Sequence, residues 1–158
     1  MKKLLLSVAA VLVFPAVAAA TDITVEFSPE FQQKLEEDYG VKEGEKLKKD
    51  VIADLERELR KANIDPARIS ITIVDAMPNR PTMQQMADRP GLDMLRSKSI
   101  GGMDLEGVAY DLSGNAIGEF EYDWYETNIT MVGAAGVWGD ANRASSGFAR
   151  KFAKQLSQ

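Results

Sequence analysis

Residues Lys98–Thr127 read KSIGGMDLEGVAYDLSGNAIGEFEYDWYET, two runs of strand-forming residues around Ser113-Gly114. In the second run Phe120, Tyr122 and Trp124 alternate with Glu119, Glu121 and Asp123, the period of a strand with one apolar face. A two-residue turn at Ser113-Gly114 sets Gly107 opposite Phe120, Leu105 opposite Tyr122 and Met103 opposite Trp124. The other face then collects Asp104, Glu106, Glu119, Glu121 and Asp123. A three-residue loop with Gly114 left-handed would change the parity and bring Glu106 among the aromatics, which burial penalises. The two-residue turn is therefore expected.

Working outward from the hairpin, Ile69, Ile71 and Ile73 mark one face of an earlier strand, and Ile23, Val25 and Phe27 one face of a first strand. Ser28-Pro29 stops that first strand and opens a helix carrying Phe31, Leu35 and Tyr39 at spacing four. A longer amphipathic helix is expected from about Glu43 to Asn63, with Leu47, Val51, Leu55 and Leu59 on its buried stripe. Its charged face mixes signs and reads as solvated surface. The last helix is expected to be capped by Asp140 and to bury Ala141, Ser145, Phe148, Phe152 and Leu156, with Arg150, Lys151 and Lys154 complementing its dipole. Gly133-Ala134-Ala135-Gly136 reads as a flexible lead into it. Strand, two helices, strand, long loop, hairpin and helix predict an α+β fold: two layers, a mostly antiparallel sheet of about four strands, helices on one face.

Two Lys precede the apolar run Leu4–Val17, and Ala18-Ala19-Ala20 supplies small residues before Thr21, so residues 1–20 read as a secretory signal peptide. The run is shorter than the roughly 20 apolar residues that span a bilayer, and it contains Pro15. Residues 21–158 are expected to form one domain, periplasmic or secreted after cleavage, with no stable membrane insertion. They hold 17 basic and 24 acidic side chains, a net charge of 17 − 24 = −7. Nucleic acid is a poor partner for such a surface.

The chain contains no His and no Cys. Ser-His-Asp and Cys-His nucleophiles, His or Cys zinc sites, disulfides and CxxC redox pairs are all excluded, and nothing in the sequence asks for a cofactor. Four places remain where chemistry or binding could sit. The acidic hairpin face could attract a hard cation or a basic partner, although no calcium-loop spacing is present; a solvated face, with Lys98 or neighbouring cations easing the repulsion, is the simpler reading. Asp123 and Glu126, beside Trp124 and Tyr125 that could stack on a sugar, are the candidate acid and base of a glycan hydrolase. Met83 and Met86 could offer two thioethers to Cu(I), although methionine also fills irregular gaps and grips apolar partners.

The fourth is the segment from Met77 to about Leu95, which has no sustained period and contains Pro78, Pro81 and Pro90. Thr82 caps at most one helical turn there, over Met83 to Ala87. Long irregular connections in compact domains are commonly functional. Asn79 and Arg80 stand as hydrogen-bond donors at the tip of a stiffened loop.

The blocks Pro78-Asn79-Arg80-Pro81-Thr82, Pro90-Gly91-Leu92-Asp93-Met94, Gly101-Gly102, Gly107 to Asp111, Asp123 to Glu126, and Trp138-Gly139-Asp140-Ala141 leading into Phe148-Ala149 resemble those of small exported proteins of Gram-negative bacteria, of uncharacterised family. The layout is similar to small envelope lipoprotein domains, without their lipidated Cys. The resemblance implies a periplasmic α/β domain and no catalytic residue. A non-enzymatic binding or envelope accessory module is expected, presenting residues 77–97 and the Gly-rich segment after Glu126 to an unknown protein or envelope component.

Overall fold

The computed structural model describes residues 21–132 and 136–158. The expected leader and Gly133 to Ala135 lie outside them. Four strands form one open sheet in the order β1 (Asp22–Phe27), β2 (Arg68–Met77), β3 (Gly102–Tyr110), β4 (Ala116–Tyr125). β1 and β2 are parallel, and the other two pairings are antiparallel. The α+β expectation holds, with a sheet that is mixed. Parallel neighbours need a crossover, here α1 (Pro29–Lys34), a π-helical turn (Leu35–Tyr39) and α2 (Val41–Ala62). A short α3 (Met83–Asp88) follows β2, and α4 (Gly139–Leu156) closes the chain.

Ser28 caps α1 by accepting from the Phe31 N–H, and Asn63 ends α2 in the left-handed conformation with φ 53°. The stripe Leu47, Val51, Leu55, Leu59 is buried, and α2 and α4 pack against each other on one face of the sheet. From α4, Phe148 packs tilted against Phe120 and Phe152 stacks on it, with ring centroids 5.7 and 6.0 Å away, and Lys151 lies over the Tyr122 ring at 4.3 Å. Glu119, Glu121 and Asp123 are exposed on the opposite face. The aromatic row is thus covered by the last helix and the acidic row faces outward, as the alternation predicts.

The turn itself differs from the expectation. Asp111 pairs with Asn115 around a three-residue loop, Leu112-Ser113-Gly114, with Gly114 at φ 83°. The parity change this imposes is cancelled by a bulge at Ile117: Tyr110 faces Ala116, yet Ala109 faces Gly118. From there on Gly107 faces Phe120, Leu105 faces Tyr122 and Met103 faces Trp124. The chain length between Ala109 and Gly118 is the same for both solutions, and burial of the aromatic row dictates where the extra residue goes.

The start of α4 also differs. Its N-cap is Trp138, without a side-chain cap, and Asp140 sits inside the first turn. The Asp140 side chain is fully buried and engaged elsewhere in the fold.

Candidate functional site

β2 and β4 end, and β3, α2 and α4 begin, at one end of the sheet. The long connection between β2 and β3 folds over that end. Its shape follows from local hydrogen bonds. Thr82 and Gln85 form a reciprocal capping box that starts α3. Arg80 Nη1 donates to the Leu95 carbonyl (2.7 Å), and Asp93 accepts from the backbone N–H groups of Leu95 and Arg96 (2.9 and 2.8 Å). Ser99 donates from its hydroxyl to the Pro78 carbonyl, closing the base of the loop.

Asn79 holds this loop to α4. Its Nδ2 donates to Asp140 Oδ2 and to the Ser99 carbonyl, and its Oδ1 accepts from the Asp140 backbone N–H at 2.7 Å. The residue is fully buried. The expectation that Asn79 offers a donor at an exposed tip is therefore corrected: its amide is engaged inside the fold, where an unpaired amide would be costly.

Between the loop and the π turn lies an open cleft of about 350 Å³. Arg80, Arg89 and Lys98 line it together with Asp38, Tyr39, Met77 and Leu92. The Asp38 carboxylate is bound on both oxygens, by Arg89 and by Gln85 Nε2. Tyr39 packs edge-on against Trp138 with centroids 5.6 Å apart, and Trp138 Nε1 donates to Glu43 (2.7 Å). Burial, with Asp75 and Asp38 nearby, pushes the Tyr39 hydroxyl above its ordinary pKa. A second hollow on the far side of Tyr39 is lined by Val41, Met83 and Gln84.

Among the described residues ten large apolar side chains are exposed, and eight of them lie at this end. Val41, Met77, Met83, Met94, Leu95 and Ile100 surround the loop, and Ile129 and Met131 follow β4. Leu95 is 80% exposed and Met83 69%. Only Leu112 and Ile117 lie at the hairpin end.

The other expected groupings do not assemble. Asp123 stands on the outer face opposite Asp104, whereas Glu126 turns towards α4, where Arg143 Nη1 lies 3.5 Å from its carboxylate. Trp124 is half-buried on the inner face with Arg143 5.8 Å from its ring, and Tyr125 lies on the outer face against Gly102. Burial and the carboxylates of Asp75, Asp104 and Asp123 push the Tyr125 hydroxyl upward. The pair Asp123 and Glu126 thus points to opposite faces and does not flank one bond, and Trp124 and Tyr125 share no platform. Met83 lines the second hollow, while Met86, half-buried on the same short helix, does not. Lys98 lines the cleft and pairs with none of the carboxylates of the acidic rows, whereas Lys34 lies 2.8 Å from Asp75. Among the described residues no group of three or more acidic side chains is placed to hold a metal ion, and no helix is long and apolar enough to cross a membrane.

Asp38, Gln85 and Arg89 are not singled out by the sequence, which places Tyr39 only on a helix stripe and Lys98 only beside the acidic face. The Thr82 to Gln85 capping box was the available signal that the loop is ordered. No protein-family model, curated protein or solved structure matches this chain.

Proposed function

We propose that the protein is a non-enzymatic binding or accessory module of the bacterial envelope, exported by the leader at residues 1–20 and working through the loop end of its sheet. The observation that carries this reading is the grouping of exposed apolar side chains around residues 77–100, at one end of a domain whose remaining surface is largely charged. Contiguous exposed apolar surface with a polar rim is the mark of an interaction site. Methionine suits such a surface because its unbranched thioether adapts to the shape it meets. A loop tied down by Asn79, the capping box and Arg80 presents those side chains without a large ordering cost on binding.

The test compares proteins retained from envelope extract by the native chain, by Met83→Asp plus Leu95→Asp, and by Leu112→Asp at the hairpin end. Specific partners lost only with the first variant support the reading. Partners kept by that variant, or lost equally with Leu112→Asp, contradict it.

A further inference from the structure

The loop end differs from the rest of the molecule in charge as well as in apolarity. The whole chain carries a formal charge of −5, yet residues 77–100 hold Arg80, Arg89, Arg96 and Lys98 against Asp88 and Asp93. Three of those cations line the 350 Å³ cleft, and the single carboxylate lining it, Asp38, is held on both oxygens by Arg89 and Gln85. Lys98 forms no ion pair with any described residue. With Arg89 paired to Asp38, the cleft lining still carries three cations against one carboxylate, a local excess of positive charge on a protein that is acidic as a whole. Next to the cations stand apolar groups, Met77 and Leu92 within the cleft and Met94 and Leu95 beyond it.

Resting on the docking reading above, we propose that this end recognises an acidic polypeptide segment with apolar anchors. Its carboxylates meet Arg80, Arg89 and Lys98, and its apolar side chains seat against Met77, Leu92 and Leu95. A small free anion would satisfy the cations but leave Met94 and Leu95 uncovered, which favours a polypeptide as occupant. Charge complementarity of this kind steers encounter and selects partners more than it adds raw affinity. Binding should accordingly weaken as ionic strength rises.

Three peptides of equal length test the proposal: alternating Glu and Leu, alternating Ser and Leu, and alternating Lys and Leu, titrated into the isotope-labelled native protein by NMR. The Glu-Leu peptide should bind at least about tenfold more tightly than the other two and perturb amides of residues 38–39 and 77–99. Lys98→Glu, an exposed position outside the core, should reverse the preference between the Glu-Leu and Lys-Leu peptides while the unfolding midpoint stays unchanged. Arg80→Gln should weaken Glu-Leu binding as well; because Arg80 also holds Leu95, the Lys98 variant decides the matter if Arg80→Gln unfolds. Equal binding of all three peptides at residues 77–99 overturns the acidic partner and leaves the docking surface standing. So does a preference unmoved by Lys98→Glu. Binding of free glutamate or inorganic phosphate as tight as that of the Glu-Leu peptide points to a small-anion site and overturns the polypeptide partner. Perturbations confined to other residues overturn the proposal, and the extract experiment separately decides whether the apolar end docks anything.

Discussion

The side chain of Asn79 and the first turn of α4 at Asp140 exchange two hydrogen bonds across 61 positions of sequence, one in each direction. Both residues are fully buried, and Arg143 approaches the second Asp140 oxygen to 3.3 Å without the alignment of a hydrogen bond. This clamp fixes the base of the loop relative to α4, and with it the cleft. Replacing Asn79 by Ala leaves a buried carboxylate short of its best donor, a loss of about 3 kcal/mol. Urea unfolding should show the midpoint falling by a corresponding amount. A midpoint equal to that of the native chain would mean that water substitutes for the amide and that the clamp holds nothing.

Gly107 is the position where β3 meets the aromatic layer. A Cβ there would lie 2.7 Å from Phe148 Cζ and 2.9 Å from Ile71 Cδ1, both in fully packed side chains. Gly107→Ala should therefore destabilise by about 1–3 kcal/mol through overpacking. Gly118→Ala meets Leu156 Cδ2, the end of a half-buried side chain that can swing aside, and should cost less. Thermal unfolding of the two variants gives the order, and a larger loss at Gly118 would contradict it.

Asp104 faces Asp123 across β3 and β4, with Glu106, Asp75 and Glu121 also near. Partial burial first, and these neighbouring carboxylates second, hold its carboxyl above the ordinary value of 3.8. A folded-state pKa above the unfolded one means that the native state binds the proton more tightly. Its contribution to stability is full below the unfolded pKa and is lost as pH rises through the folded pKa. Asp104→Asn should thus stabilise the protein at neutral pH, by about 0.5–1 kcal/mol, and flatten the pH dependence of stability in the acid range. A destabilised Asn variant at pH 7 would show that the carboxylate has a partner in solution.

Ile117, the bulged residue of β4, is 51% exposed and contributes little to the core. Deleting it should be tolerated, because Tyr110 opposite Ala116 is then followed directly by Ala109 opposite Gly118, and Gly107 still faces Phe120 without a bulge. Ile117→Thr, which keeps the count, should change stability by under about 0.5 kcal/mol. A deletion variant that loses native circular dichroism would show that the bulge itself, and not only the pairing of Phe120 with Gly107, is required.

The strands and helices were legible because their periods are local. Ile69, Ile71 and Ile73, and the stripe Leu47 to Leu59, each announce a buried face on their own. The hairpin register was legible from the burial of Phe120 and Tyr122, although the turn was misassigned: a two-residue turn and a three-residue loop plus bulge use the same residues, and Ser113-Gly114 does not distinguish them. What the sequence hid was long-range. Asn79 in a proline-rich stretch reads as surface, and its burial depends on Asp140, which no spacing links to it. The cleft was hidden for the same reason, since Tyr39 comes from the helix stripe, and Arg80, Arg89 and Lys98 from a segment that shows no period. Asp123 and Glu126 are neighbours in sequence, yet the strand ends between them and turns one carboxylate towards α4.

Site-specific photo-crosslinking in the producing cell tests the central claim most directly. A photoreactive residue at Leu95 or Met83 should yield discrete adducts, and the same residue at the still more exposed Leu112 should yield none. Adducts at Leu112 in the absence of any at Leu95 and Met83 would contradict the assignment of the loop end as the working surface.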